Sequence, residues 1–177
     1  MKYILDFDRT LFDSLGFTQK LQEDEMLSAK SKTPEIWNKY YACDFLFQDT
    51  VEWLSSKSKE DLFILTAITP TFGPKAEGYQ RRKLERSGLD NYVSEIVFVI
   101  GDKGEKAIEI ASQFPSNETI VFVDDRLCQC QSVKAALPNS ICCLMVRDKS
   151  CVIETDFDED IKVVHSLSDV DGIISDI

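Results

Sequence analysis

The sequence lacks any apolar run that approaches the roughly 20 residues needed to cross a bilayer, so we expect no membrane-spanning segment. Basic residues are also scarce: 20 Lys and Arg face 31 Asp and Glu, which gives a formal net charge of −11. General binding to nucleic acid or to an anionic membrane needs a basic surface, so we expect neither. With one histidine in the chain, a structural zinc site lacks partners for the cysteines. We expect buried, reduced thiols at Cys43, Cys128, Cys130, Cys142, Cys143 and Cys151.

The amino-acid composition predicts one packed domain. Hydrophobic residues make up 44% of the 177 positions and charged residues 29%, which is enough apolar material for a core. The first strand is predicted to begin at Lys2 or Tyr3, which leaves no room for a signal peptide. Together with the reduced thiols, this predicts a cytoplasmic protein. Nothing in the sequence specifies an oligomeric state.

Short runs of β-branched and aromatic residues alternate with helical patterns from Phe47 onward. This alternation predicts an α/β fold with a buried parallel sheet. Strands are expected at residues 2–8, 61–66, 95–100, 119–123, 140–146 and 162–164. Helices are expected at residues 49–56, 76–87, 105–114 and 127–137 and at the end of the chain. Gly88 directly follows one of these helices, as is typical of a helix C-terminus.

A segment after the first strand interrupts this alternation. It contains a predicted helix at residues 17–30 and a second one that starts at Pro34, with Thr33 as a plausible N-cap. We expect Trp37 and Trp53 to pack in the core rather than to contact substrate. We divide the chain into a core domain of residues 1–14 and 47–177 and a small helical cap insertion of residues 15–46.

Two pairs of carboxylates follow predicted strands. Asp6 and Asp8 close the first strand, and Asp124 and Asp125 close the fourth. In open α/β sheets, ligands bind just past the carboxyl ends of the strands. Acidic side chains crowded there repel one another unless a cation joins them, which predicts a Mg²⁺ site. A carboxylate can attack phosphorus and a second one can transfer protons, so by position Asp6 is the predicted nucleophile and Asp8 the general acid/base.

Two further residues supply what phosphoryl transfer needs, namely donors and a cation around the phosphoryl oxygens. Thr66 ends the second strand, and Lys103 lies in the loop between the third strand and its helix. Lys106, one helical turn beyond, is the alternative lysine. We prefer Lys103 because it precedes Gly104, where backbone can approach an anion.

These residues resemble the four motifs of the haloacid dehalogenase-like (HAD) superfamily. The motifs are Asp6-Phe7-Asp8-Arg9-Thr10, Thr66, Lys103 and Asp124-Asp125. The resemblance covers nearly the whole chain apart from residues 15–46. It implies a Rossmann-like parallel sheet with helices on both faces and an inserted cap, a bound Mg²⁺ and, for most members with two acids in the first motif, phosphatase activity.

The resemblance also implies roles for individual residues. They are Asp6 as nucleophile and metal ligand, Asp8 as acid/base and main-chain metal ligand, Thr66 and Lys103 as phosphoryl-binding residues, and Asp124 with Asp125 as the remaining metal ligands. Arg9 stands where many relatives have Gly or Asn. It either contacts substrate or points to solvent, and the sequence leaves both open.

Three hypotheses on function follow. The first is a Mg²⁺-dependent phosphomonoester hydrolase that acts through an aspartyl-phosphate on a small phosphorylated metabolite. The second is a phosphatase of a phosphoprotein or a nucleic-acid end, based on Arg9 and a basic cluster of Lys75, Arg81, Arg82, Lys83 and Arg86. That cluster is more simply interpreted as a solvated helix face with pairs such as Arg81 to Glu85. The third is a catalytically idle protein that retains the Mg²⁺ site.

Overall fold

The computed structural model of the protein describes residues 1–26, 33–70, 73–148 and 160–175. Its strands are β1 (Lys2–Leu5), β2 (Leu62–Ala67), β3 (Glu95–Val99), β4 (Ile120–Asp124), β5 (Ile141–Met145) and β6 (Ile161–Val164). Its α-helices are α1 (Ser14–Glu23), α2 (Thr50–Ser55), α3 (Ala76–Ser87), α4 (Gly104–Ala111), α5 (Leu127–Ala136) and α6 (Leu167–Ser175). The strands form one parallel sheet in the order β3-β2-β1-β4-β5-β6. The predicted α/β fold class is confirmed.

Helices cover both faces of the sheet. Successive side chains of a strand point to opposite faces, so Ile64 of β2 lies in one apolar cluster and Leu65 in the other. The first cluster takes side chains from α1, α2, α3 and α6, and the second takes them from α4 and α5. Because both faces are covered, the central strands β2 and β4 are apolar over most of their length rather than alternating.

The C-terminal ends of α3 and β1 show how the local backbone conformation sets the bounds of helices and strands. Helix α3 has the predicted bounds, and Gly88 follows it with a left-handed φ of 72°. Strand β1 ends at Leu5, three residues earlier than predicted. The chain turns after Asp6, where the backbone N–H groups of Leu11 and Phe12 both donate to the carbonyl oxygen of Phe7, at 2.9 Å each. Residues 7 and 8 therefore leave the sheet.

The segment after β1 differs from the prediction of two α-helices. It contains α1 and two 3₁₀ turns, Pro34–Asn38 and Ala42–Phe45. Thr33 has the extended backbone of an N-cap, but its side chain makes no capping hydrogen bond. Aromatic packing accounts for the compact form, since the ring of Trp37 stacks on that of Phe17 with centroids 4.5 Å apart. Residues 27–30 of the predicted first helix lie outside the described residues.

Both tryptophans are buried, as predicted: Trp37 is 1% exposed and Trp53 is 5% exposed. Trp37 and Phe17 belong to the same apolar cluster as Leu5 of β1, so residues after β1 share the core of the sheet. The division of the chain into a core and a cap stays a prediction. None of the described helices is long and apolar enough to cross a bilayer.

The cysteines are only in part the buried thiols that the sequence predicts. Cys130, Cys142 and Cys143 are buried, and burial raises the pKa of Cys143 to about 12. Cys43 and Cys128 are exposed, because they lie on the solvent-facing sides of a 3₁₀ turn and of α5. All five are free thiols, and Cys151 lies outside the described residues.

Candidate active site

A cavity of about 260 Å³ opens at the carboxyl edge of the central strands. The sequence-predicted residues that line it are Asp6, Asp8, Arg9, Thr66, Lys103 and Asp125. Asp124 lies at the same edge, and its side chain is fully buried behind this surface. The strand order explains the convergence, because β2, β1 and β4 are neighbours and all run in the same direction. The structure thus brings together all seven predicted residues.

The floor of the site is a cluster of carboxylates around one ammonium group. Oxygens of Asp6, Asp124 and Asp125 all lie within 4.8 Å of one another. The Lys103 Nζ forms ion pairs with Asp6 and with Asp124, the latter at 2.6 Å. Lys103 is 1% exposed, whereas the side chain of the alternative, Lys106, is 38% exposed and pairs with Glu109 at 2.6 Å. Of the two lysines, Lys103 is the one at the acid cluster.

Crowding and burial shift the pKa values of this cluster. Burial raises the pKa of Asp6 well above its usual value; Lys103 opposes the shift, and the charges of Asp124 and Asp125 add to it. Burial likewise raises the pKa of Asp125 to about 6, reinforced by Asp124 and opposed by Arg9. Burial alone would lower the pKa of Lys103, but Asp6 and Asp124 hold it above its usual value. The ammonium group is therefore charged at neutral pH, while the acids compete for protons or cations.

Asp8 lines the same cavity and belongs to a separate hydrogen-bond network. Its carboxylate forms an ion pair with Lys83, accepts from the Ser14 hydroxyl, and accepts from the Gln80 amide at 2.6 Å. The same Gln80 amide nitrogen donates to the Thr66 hydroxyl oxygen at 2.9 Å. Burial pushes the pKa of Asp8 up, but Lys83 and the hydrogen bonds from Ser14 and Gln80 together hold it below its usual value.

Two residues of this network, Gln80 and Lys83, were not assigned to the site from the sequence, whereas Ser14 borders it by sequence. Ser14, Gln80 and Lys83 all line the cavity. The interpretation of Lys83 as part of a solvated basic face is wrong, because its side chain is 3% exposed. A signal was present in the sequence. The buried positions of α3 are Ala76, Tyr79, Gln80, Lys83, Leu84 and Ser87, which follow the helical period of three and four. The period thus places Gln80 and Lys83 on the inward stripe despite their polarity.

The rest of the basic cluster is at the surface, as predicted, with different partners. Arg81 pairs with Glu77 and Arg82 pairs with Glu85, rather than Arg81 with Glu85. These pairs sit at i,i+4 and i,i+3 on the exposed side of α3.

Arg9 has an unusual backbone and a defined contact. Its φ is 64°, in the left-handed region that non-glycine residues rarely occupy. This conformation explains why Gly or Asn suits the position. The Arg9 guanidinium reaches Asp125 at 3.2 Å, while its side chain stays 56% exposed. Arg9 therefore spans from the loop after β1 to the loop after β4, at the rim of the cavity.

Helix α5 holds the loop that carries Lys103. The backbone N–H of Lys103 donates to the Gln129 side chain at 2.9 Å, and that of Gly104 donates to the Ser132 hydroxyl at 3.2 Å. A Cβ at Gly104 would lie 2.8 Å from the carbonyl oxygen of Ser132. The sequence predicts that backbone at Gly104 approaches an anion, whereas in the structure its N–H is bound by α5. The glycine instead allows close packing of α4 on α5.

Comparisons with solved structures identify the fold. One match, with a TM-score of 0.64 and 11% identity, is a haloacid dehalogenase-like family hydrolase from Xanthomonas campestris. It covers 99% of this chain and 95% of the other. A second match is a D,D-heptose 1,7-bisphosphate phosphatase from B. bronchiseptica in complex with magnesium and phosphate. Its TM-score is also 0.64, its identity is 14%, and the match covers 100% of both chains. No protein-family model matches the sequence, and no curated protein matches it significantly. The chain has the fold of haloacid dehalogenase-like hydrolases.

The donor set fits a hard divalent cation. Asp6, Asp124 and Asp125 offer only oxygen ligands, from the ends of β1 and β4 at one edge of the sheet, and Mg²⁺ prefers carboxylates together with water and substrate oxygens. Burial, reinforced by the neighbouring carboxylates, raises the pKa values of Asp6 and Asp125, and a bound cation would favour their ionised forms. The residues present are therefore consistent with Mg²⁺.

Proposed function

We propose that the protein is a Mg²⁺-dependent phosphomonoester hydrolase that acts on a small phosphorylated metabolite through an aspartyl-phosphate on Asp6. The observation that carries the proposal is the position of Asp6, whose carboxylate lines the cavity, pairs with the Lys103 ammonium and lies within 4.8 Å of the other two acids. The fold supports the same class, since one structure that shares it is a phosphatase in complex with magnesium and phosphate. A cytoplasmic location stays a prediction.

In the first step, an Asp6 oxygen attacks phosphorus and the bond from phosphorus to the leaving oxygen breaks. Thr66 and Lys103 donate hydrogen bonds to the phosphoryl oxygens, where charge spreads in the transition state. A cation held by Asp6, Asp124 and Asp125 would supply Lewis-acid polarisation and offset that charge. In the second step, water attacks the aspartyl-phosphate, and Asp6 is released together with inorganic phosphate.

Asp8 is proposed to move the protons in both steps. It gives a proton to the leaving oxygen and later takes one from the attacking water. The Lys83 ion pair and the lowered pKa of Asp8 favour its ionised form, which suits the second step. We therefore expect aryl phosphates, whose leaving oxygens need little protonation, to be hydrolysed much faster than alkyl phosphates.

The size of the cavity favours small substrates. At about 260 Å³ it is near the lower end of small-molecule sites. Three of the basic residues that motivated a macromolecular substrate are engaged elsewhere: Arg81 and Arg82 pair with glutamates, and Lys83 is buried on Asp8.

The test is hydrolysis of 4-nitrophenyl phosphate with Mg²⁺ and with chelator, followed by a screen of phosphorylated metabolites. Asp6→Asn is expected to lower kcat by roughly a thousand-fold or more, as expected when a covalent nucleophile is removed. Asp102→Asn is the matched control, because Asp102 is an exposed aspartate next to Lys103 that does not line the cavity. Equal turnover by Asp6→Asn and wild type would refute the nucleophile, and no turnover of any ester would favour the catalytically idle hypothesis.

A further inference from the structure

Gln80 connects Asp8 and Thr66 within the candidate site. It lies on α3, is 6% exposed, and lines the cavity beside Asp8 and Thr66. Its amide nitrogen donates to an Asp8 carboxylate oxygen at 2.6 Å and to the Thr66 hydroxyl oxygen at 2.9 Å. An amide NH₂ group has two hydrogens, so this geometry can use both of them.

The chemistry of the neighbours fixes which end of the amide faces them. If the amide were reversed, its carbonyl oxygen would lie against the carboxylate of Asp8, with two acceptors in contact and no hydrogen between them. Lys83 also forms an ion pair with the Asp8 carboxylate, so this carboxylate acts as an acceptor toward its neighbours. The amide nitrogen therefore faces both partners.

This orientation determines what the Thr66 hydroxyl can do. A hydroxyl has one hydrogen to donate and lone pairs that accept. Because Thr66 accepts from Gln80, that bond leaves its own hydrogen free to donate to a ligand in the cavity. Donation from Gln80 also polarises the hydroxyl, which strengthens a bond to an anionic oxygen.

We propose that Gln80 is a positioning residue, which directs the Thr66 hydroxyl toward a phosphoryl group and at the same time orients the Asp8 carboxylate. The inference rests on the proposed function, because that function assigns Thr66 to phosphate binding and Asp8 to proton transfer. It adds a residue outside the four sequence motifs, and Gln80 on α3 joins partners from two other elements, β2 and the loop after β1.

The experiment is a double-mutant cycle with inorganic phosphate as the probe. Wild type, Gln80→Met, Thr66→Val and the double variant are titrated with phosphate by calorimetry in the presence of Mg²⁺. Each single substitution is expected to weaken phosphate binding about ten- to a hundredfold, the scale of one hydrogen bond to a charged group. The double variant is expected to bind about as weakly as Thr66→Val alone, because Gln80 acts through that hydroxyl.

A second variant tests the direction of the hydrogen bonds. Gln80→Glu keeps the shape of the side chain but cannot donate to both partners in either protonation state. Its ionised carboxylate would accept the Thr66 hydrogen and repel Asp8. We therefore expect weaker phosphate binding and a lower kcat for 4-nitrophenyl phosphate than in Gln80→Met. Arg82→Met, on the exposed side of the same helix, is the control and should bind phosphate as wild type does.

The outcomes separate this inference from the proposed function. Single effects that multiply in the double variant, or Gln80 variants that bind phosphate as wild type does, would overturn the positioning role. So would a loss of binding that only follows the unfolded fraction, measured by thermal unfolding of the same samples. A wild-type protein that binds phosphate but hydrolyses no ester would refute the proposed function, while the binding cycle still decides on Gln80. A wild-type protein that binds no phosphate would overturn both.

Discussion

Replacement of Lys103 by methionine tests whether the acid cluster depends on one buried ammonium group. Methionine keeps much of the length of the side chain and removes the charge. In the folded protein this leaves Asp6 and Asp124 side by side without the ammonium group that they share. The side chain of Asp6 is 7% exposed and that of Asp124 is 0% exposed. Water cannot replace the lost ammonium group at that depth, so we expect a large loss of stability when no divalent cation is present.

The expected magnitude follows from the burial of the pair. Removal of one partner of a buried ion pair costs about 3–5 kcal/mol, because the other charge stays buried and uncompensated. For a domain of 177 residues, each kcal/mol corresponds to about 2–4 °C in Tm. Lys103→Met should therefore unfold roughly 6–20 °C below wild type in chelator. Mg²⁺ should restore part of this loss, and should raise the Tm of the variant more than that of wild type.

The assay is thermal unfolding followed by circular dichroism, in chelator and in millimolar Mg²⁺. Lys106→Met is the matched control: its surface pair with Glu109 is worth only about 0.3–0.5 kcal/mol, so its Tm should fall by less than about 2 °C. If Lys103→Met unfolds in chelator at the same temperature as Lys106→Met, the ammonium group does not stabilise the cluster and the electrostatic reasoning is refuted.

Three further predictions concern the elements around the site. Gly104→Ala should lower the free energy of unfolding, measured with urea, by about 1–3 kcal/mol, because its Cβ would lie 2.8 Å from the carbonyl oxygen of Ser132. An unchanged free energy of unfolding would show that α4 and α5 can move apart to make room for the methyl group. Arg147→Met should cost about 1.5–3 kcal/mol in the same assay, since its guanidinium donates to the carbonyl oxygen of Thr10 at 2.6 and 3.1 Å; a loss under 0.5 kcal/mol would contradict this. Folded Asp125 holds its proton up to about pH 6, whereas the unfolded chain releases it near pH 4, so this group makes the free energy of unfolding fall as pH rises between those values. In chelator, the free energy of unfolding of Asp125→Asn should therefore rise by up to about 3 kcal/mol relative to that of wild type between pH 4 and pH 7. If the free energies of unfolding of the two proteins change in parallel with pH, the raised pKa of Asp125 is refuted.

The convergence of the predicted site residues was readable from the sequence because it depends on local patterns. Short apolar runs define buried parallel strands, and the polar residue that ends each run must lie at the carboxyl edge of the sheet. This pattern predicts that Asp6, Thr66 and Asp124 lie at one edge of the sheet. The choice of Lys103 over Lys106 as the phosphate-binding lysine stays a prediction; the structure places Lys103 at the acid cluster, in a loop that is held by α5 rather than left open for an anion.

By contrast, the partners of Asp8 come from tertiary structure. Lys83 and Gln80 lie 75 and 72 residues away along the chain, so no local pattern links them to that carboxylate. The helical period shows that they face inward, but not what they meet there. The same limit applies to the segment after β1, where packing of Trp37 on Phe17 favours compact turns over a second α-helix.

The sequence by itself determined the class of fold, the edge of the sheet that carries the site, and the acids, hydroxyl and lysine that meet there. These depend on periodicity and on strand ends, which are properties of neighbouring residues. Only the tertiary structure decided that Asp8 is paired with Lys83, that Gln80 links it to Thr66, and how the segment after β1 packs. Buried polar groups must find partners wherever the fold brings them, and those partners are distant in sequence.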